Sequence, residues 1–384
     1  MSATRPAFAP IHAALETVSI GPSTLRNRLV VAPMSRVSAP VGLATAAMKR
    51  YYEAFAIGGF GLIVTEGIYP DLAYSQGYED QPGLATEEQA AAWRPVVDAV
   101  HAAGGAIFAQ LMHAGALSQG NRHKTKTLGP SAVQPRGEKM SEYGGSGPFS
   151  RPVAMTDGDI DDVLEGFAGA AVRARNAGFD GVEIHGANGY LIDQFLTTYT
   201  NQRTDQYGGP VANRVRFAAS VVSAVRRAVG AEFPIGIRLS QTKVNDFEYR
   251  WPGGAEDGKA IFAAVRDAGV AFIHIASEGR NWLDTAQLAE GVTITGLARA
   301  VAGVPVIANG GMHEPARAAR VLQEGHADLV SLGRGALANP DYPRRLASGA
   351  HLEPFDHAML SPNATLENAE TWRSARERLL PCPA

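Results

Sequence analysis

The segment Glu183-Ile184-His185-Gly186-Ala187-Asn188-Gly189-Tyr190-Leu191 places three polar groups, His185, Asn188 and Tyr190, over six positions around two glycines. A neutral imidazole N–H and a carboxamide N–H can both donate to one carbonyl oxygen. A phenol, with a pKa near ~10, stays protonated at neutral pH and can donate as well. The expected chemistry is an oxyanion site with an acid beside it. A lone histidine would read as a satisfied buried residue, and it is the neighbouring Asn188 and Tyr190 at a strand end that favour function. No serine stands in a G-x-S-x-G turn, so a nucleophile elbow is not expected. His113 and His185 come from different strands, and the carboxylates near them, Glu183 and Asp193, lack a ligand spacing, so no metal is expected.

Two further turns carry glycine: Asn309-Gly310-Gly311 and Gly333-Arg334. Each glycine alone also suits an ordinary left-handed cap. Together with Arg334 they suit a phosphate, held by exposed backbone N–H groups near a short helix N-terminus.

These residues need elements to position them. Eight short, nearly continuous apolar runs read as strands buried on both faces: Leu29 to Met34, Gly61 to Glu66, Ala106 to Met112, Gly181 to His185, Pro234 to Leu239, Phe272 to Ala276, Pro305 to Asn309 and Leu329 to Gly333. Helical spacing appears between them at Ala46 to Ile57, Glu87 to Ala103, Asp159 to Ala177, Asn213 to Val229, Glu256 to Ala268, Leu288 to Val301 and Pro315 to Glu324. Glycines at 104, 178, 269 and 325 mark helix ends. Eight alternations predict an α/β fold, a single-domain (β/α)8 TIM barrel spanning residues 1–384, with functional groups at the C-terminal strand ends. Residues 1–28 are expected to cover the barrel floor. The Gly-, Pro- and Ser-rich stretch 114–156, between strand 3 and helix 3, is expected to form a capping subdomain over the substrate. The tail 355–384 is expected to pack outside the barrel or over its rim.

Composition narrows the function. The formal charge of −3 offers no excess of positive charge to nucleic acid or an anionic membrane. One cysteine, Cys382, excludes a disulfide framework, a Cys-ligated zinc and an iron–sulfur cluster held by this chain. The N-terminal stretch lacks a long apolar core and no run of ~18 apolar residues occurs, so a soluble, cytoplasmic protein is expected.

The ordered motifs resemble the old yellow enzyme family of FMN-dependent ene-reductases. They are Asn27-Arg28-Leu29 leading to Ala32-Pro33-Met34-Ser35-Arg36, then Gly178 through Leu191, Asp193-Gln194-Phe195-Leu196, Asn201, Arg203-Thr204-Asp205, Tyr207-Gly208-Gly209, Asn309-Gly310-Gly311, and Gly333-Arg334 with Asn339-Pro340-Asp341. The resemblance implies non-covalent FMN. Pro33, Met34 and Ser35 would lie along its ring and Gly67 would admit it. Gln110 and Arg238 would bond its pyrimidine edge, and Gly310, Gly311, Gly333 and Arg334 its phosphate. It also implies NAD(P)H as reductant and a small α,β-unsaturated carbonyl compound, an enone or enal, as substrate. His185 and Asn188 would bind the carbonyl oxygen, Tyr190 would be the proton donor, and Met112 and Tyr78 would complete the substrate pocket.

Met112 stands where the family often has Trp, and neither 241–254, with Phe247, Tyr249 and Trp251, nor 355–372 matches the better known members. Cys382 alone separates the chain from the larger dienoyl-CoA reductase relatives with their iron–sulfur cluster. Rival readings are an FMN barrel with a quinone, nitro compound or oxygen as acceptor, a 2-hydroxy-acid oxidase, and a flavin-binding module without turnover. The natural alkene, NADPH against NADH, and monomer against homo-oligomer stay open at this level.

Overall fold

The computed structural model describes residues 12–277, 282 and 286–379. The eight apolar runs pair side by side, all parallel, and close on themselves. In order the barrel strands are Leu29–Val31, Leu62–Ile68, Ala106–Leu111, Gly181–Asn188, Ile235–Lys243, Phe272–Ile275, Val306–Asn309 and Leu329–Leu332. All eight expected strands are present, each next to its sequence neighbour, with strand 5 closing against strand 6. Strands 2, 4 and 5 are buried throughout, because helices cover the outside and side chains fill the inside.

The interior is layered. At the N-terminal end Val30, Leu62, Phe108, Phe272, Ile307 and Leu329 form an apolar layer, closed below by Ile20 and Leu25 from the hairpin Val18–Ile20 and Ser23–Leu25. Higher in the barrel the buried residues turn polar: Gln110, Glu183, His274 and Ser331. Gly236 is the point of closest approach in the lower layer, since a Cβ there would fall 2.1 Å from Cζ of Phe272.

The helices begin where the sequence supplies caps. Thr45 accepts from the Met48 N–H, and Thr86 with Gln89 and Thr156 with Asp159 form reciprocal capping boxes. The third helix therefore starts at Asp157, two residues before its expected start. The glycines at 104, 178, 269 and 325 all have positive φ, between +72° and +99°, as helix-ending residues need. One expectation is corrected. The helix expected from Leu288 spans Ile294–Ala302, and the residues before it form the two short antiparallel strands Gln287–Ala289 and Val292–Thr293. Gly291 turns between them at φ +70°, and the Thr293 hydroxyl caps the helix. Over so short a run, apolar spacing does not separate strand from helix.

Segment 114–156 contains two short 3-10 turns, Gly115–Leu117 and Ser141–Tyr143. It also contains the strand Leu128–Gly129, paired in parallel with Val153–Ala154. Its Leu117 and Phe149 pack with Tyr78, Met112, Ala114 and Tyr190. After the barrel, the helix Leu366–Leu379 and the 3-10 turn His357–Leu360 dock through Met359 and Ala369 against Leu337, Met34 and Tyr51. Residues 1–11 of the expected floor cover and Cys382 lie outside the described residues. Among the described residues no helix is long and apolar enough to cross a membrane.

Gly236→Ala should force Phe272 from its place and cost about 1–3 kcal/mol, the usual range for overpacking a filled core. The check is the denaturant midpoint, and an unchanged midpoint would mean that the lower layer has room to spare.

Candidate active site

A cavity of about 370 Å³ opens where the barrel strands end. Pro33, Met34, Ser35, Gly67, Gln110, Met112, His185, Asn188, Tyr190, Arg238, Gly310, Gly311, Gly333 and Arg334 all line it. One residue expected in the pocket wall is placed differently: Tyr78 is fully buried behind Tyr190, its hydroxyl hydrogen-bonded to the Tyr190 hydroxyl. It does not line the cavity itself but touches residues that do, Tyr190, Tyr143 and Met112.

Strand 1 delivers Pro33-Met34-Ser35 at a fixed height because both ends of the run are tied. The Ala32 N–H donates to Leu332 O at 3.0 Å, and the Arg36 N–H donates to Glu66 Oε2 at 2.8 Å. The buried Arg36 guanidinium reaches the C-terminal segment at Thr365 O, 3.0 Å away. Burial pushes the Glu66 carboxyl up to about 7, against the Arg36 backbone N–H, the Arg36 charge and the Tyr52 hydroxyl, which pull it down. On strand 2, Gly67 faces Met112, whose sulfur would lie 2.5 Å from an added Cβ. The missing side chain therefore gives the Met112 thioether its place across the strand.

Gln110, on strand 3, donates its Nε2 to Glu183 Oε1 at 2.8 Å. A carboxylate only accepts, so this bond fixes which end of the amide faces it. The Gln110 carbonyl oxygen and one N–H are left for a ligand.

Strand 4 ends in a strained turn. Asn188 has φ +67°, in the left-handed region that costs a non-glycine residue about 1 kcal/mol, and Gly189 follows at φ +86°. Two bonds hold it: the Asn188 N–H donates to Ser240 Oγ at 2.9 Å and the Gly189 N–H to Asp193 Oδ2 at 2.7 Å. Asp193 is itself held by Lys243 Nζ at 2.6 Å, both side chains being buried. Strand 5 runs on past its expected end at Leu239 to Lys243, which brings the ammonium to this place. Burial still leaves the Asp193 carboxyl above its ordinary value, although Lys243 and the Gly189 N–H act against that.

On this turn the His185 and Tyr190 rings lie 5.1 Å apart. His185 Nδ1, Asn188 Oδ1 and Arg238 Nε are buried atoms without a hydrogen-bond partner among the described residues. Burial first, then the charge of Arg238 and the nearby His274, drive the His185 imidazole well below its ordinary value, so it is neutral at pH 7. Burial, with the Tyr190 and Tyr143 hydroxyls, likewise raises Tyr78 well above the usual phenol value. This part of the site thus presents neutral hydrogen-bonding groups beside the Arg238 guanidinium.

At the far side, Asn309 Nδ2 donates to Ser331 Oγ at 3.0 Å, joining strands 7 and 8. Gly310 has φ +111° and approaches Ser277 so closely that a Cβ would be 2.7 Å from Ser277 Cβ.

Sequence reasoning missed several residues. The capping segment contributes Met140 and Tyr143 to the cavity, and the C-terminal segment contributes His357, Leu360 and Ala364. Tyr143 hydrogen-bonds Ser35, and its ring lies tilted against that of Tyr78 with centroids 4.5 Å apart. No periodicity marks such loop residues. His274 and Ser331 did carry a signal: each is the polar residue inside an otherwise apolar strand, a position that requires an internal partner.

Comparison with known proteins identifies the family. Residues 11–353 match the pattern of the NADH:flavin oxidoreductase / NADH oxidase family. The chain is 34% identical to the NADH oxidase of Thermoanaerobacter brockii over 87% of its own length, and spans 50% of that protein. It is 35% identical to a probable flavin mononucleotide-dependent alkene reductase of Leishmania infantum, covering 91% of this chain and 94% of the other. Among solved structures, morphinone reductase in complex with tetrahydroNAD superposes with a TM-score of 0.82 at 33% identity, over 94% of this chain and 97% of that one. The chain belongs to the NADH:flavin oxidoreductase / NADH oxidase family, the old yellow enzyme family that its motifs resemble.

Proposed function

We propose that the protein is an NAD(P)H-dependent FMN oxidoreductase that reduces the activated C=C bond of α,β-unsaturated carbonyl compounds. The observation that carries this reading is the convergence of a neutral His185, Asn188 and Tyr190 with Arg238 on one cavity, with buried polar atoms of His185, Asn188 and Arg238 left unpartnered.

The residues present fit FMN. The cavity lining includes Gln110 and Arg238, which would hold a polar ring edge, and the turns at Gly310-Gly311 and Gly333-Arg334, which would cradle a phosphate. Arg238 retains a buried, unpartnered Nε, and Gln110 a carbonyl oxygen and an N–H, for the polar edge of the ring. Pro33, Met34, Ser35 and Gly67 would lie against the ring. The chemistry FMN supplies when bound is hydride carriage from NAD(P)H to the alkene.

The side chains do the rest. As hydride arrives at the β-carbon of the substrate, the π electrons of the C=C bond shift towards the carbonyl and negative charge builds on its oxygen. The N–H groups of His185 and Asn188 are held in place and shielded from water, so their bonds to that oxygen strengthen as the charge grows. Removing one such donor typically costs 10²–10³ in turnover. Tyr190 then gives its proton to the α-carbon, completing the saturated carbonyl product. With the Tyr190 hydroxyl turned to the α-carbon, Tyr78, kept protonated by burial, would donate to the Tyr190 oxygen and stabilise the negative charge left there. Met112, Met140 and Leu360 give the cavity an apolar lining suited to a small enone or enal.

Two outcomes follow for rapid-mixing experiments that separate the half-reactions. Tyr190→Phe should slow reoxidation by 2-cyclohexenone about 10²–10⁴-fold, the usual contribution of a general acid, while flavin reduction by NADPH is spared. Tyr78→Phe should show a smaller loss confined to the same half-reaction, and equal losses in both half-reactions would count against these roles. Because His185 titrates well below its ordinary value, the rate of enone reduction should show no histidine break between about pH 6.5 and 8.5. A break in that range that vanishes in His185→Asn would mean that the imidazole works in its charged form.

A further inference from the structure

Glu183 and His274 lie beneath the cavity and form no part of its lining. Both are completely buried. The Glu183 carboxylate accepts from Gln110 Nε2 at 2.8 Å and from His274 Nδ1 at 2.8 Å. On its other side the His274 ring meets Ser331 Oγ at 2.8 Å, and Ser331 Oγ accepts from Asn309 Nδ2 at 3.0 Å. The Asn309 amide donates into the Ser331 oxygen, so the hydroxyl hydrogen can go to His274 Nε2 at 2.8 Å or to Ala308 O at 3.5 Å, and the first is the shorter contact. A neutral imidazole with its proton on Nδ1 satisfies every member of this chain.

The charges support that assignment. Burial, with the Arg238 charge, drives His274 below its ordinary value against the pull of Glu183. Burial alone would raise Glu183, but His274, Arg238 and Gln110 together outweigh it and hold the carboxyl below its ordinary value. The pair therefore carries a net negative charge that it does not cancel internally. The nearby cation is Arg238, one strand across, which stands in register with His274 on strand 6 and with His185 on strand 4. Arg238 lines the cavity, and its charge acts on the Glu183 carboxyl.

Resting on the reading that the cavity holds FMN, we infer that Glu183 is a positioning residue of the redox site, whose carboxylate orients the Gln110 amide and offsets the Arg238 charge. The reduction potential of bound FMN is thereby held below the value that Arg238 alone would impose. The physical reason is direct. Two-electron reduction makes the isoalloxazine more negative, a guanidinium nearby favours that state, and a carboxylate nearby opposes it. A group that merely ties strands 3, 4, 6, 7 and 8 together would have no such effect.

Glu183→Gln separates the two roles. The new amide can accept from Gln110 and donate to His274 Nδ1 once the imidazole proton moves to Nε2, where it meets Ser331. The tie survives while the charge goes. The reduction potential of FMN in this variant, measured against reference dyes, should rise by a tenfold or larger change in the two-electron equilibrium, about 30 mV. Bound flavin with an unchanged or lower potential would overturn the inference. Wild-type protein that retains no FMN would instead overturn the reading beneath it.

Should the variant not fold, the wild-type holoprotein supplies the test through NMR of ¹⁵N-labelled histidine, with His274→Asn identifying the signal. A single proton on Nδ1 is expected. A doubly protonated His274 would overturn the inference, because the pair would then be neutral and leave the Arg238 field unopposed.

Discussion

A charged carboxylate with no access to water sits at the centre of the barrel, and the arrangement of the mouth follows from the need to satisfy it. Glu183 takes hydrogen bonds from strand 3 and strand 6, and the strand 6 histidine passes the connection to strands 8 and 7. Such a group costs more to bury than an apolar residue of the same volume, so it is poor evidence of stability and better evidence of specification. Five strands are set to one height by it. Gln110, the register partner of Glu183, and His185 and Arg238, two residues further along strands 4 and 5, inherit that height through the strand register.

A buried ion pair does the same for the turn. The left-handed Asn188 and the glycine after it would relax if left alone, and the Ser240 hydroxyl and the Asp193 carboxylate hold them. Asp193 is anchored in turn by Lys243, at the end of an unusually long fifth strand. His185 sits on the regular part of strand 4 and Tyr190 just past the turn, so their relative placement depends on this pair. The capping segment closes the arrangement from above, where Tyr143 contacts both Ser35 and Tyr78.

Much of this was legible in the sequence, for physical reasons that can be named. Strands buried on both faces have no choice but to be apolar, so all eight stood out. The positive-φ glycines at 178 and 269 marked helix ends because no other residue serves there as cheaply. His185, Asn188 and Tyr190 were visible together because one turn carries all three. Tyr78 was misplaced, since a sequence position does not distinguish a side chain facing a cavity from one standing behind another. The start of the helix at Ile294 was also misread, because the hairpin before it is too short to show its own period. Met140, Tyr143, His357 and Leu360 come from loops whose path only the fold defines.

The most direct test is the visible spectrum of the purified protein, offered FMN and kept anaerobic, as NADPH and then 2-cyclohexenone are added. A flavin band that bleaches with NADPH and returns with the enone is the predicted result, because it requires the cavity to hold FMN and to pass electrons to an activated alkene. A protein that stays colourless would contradict the cofactor assignment, and a band that bleaches but does not return with the enone would contradict the proposed acceptor.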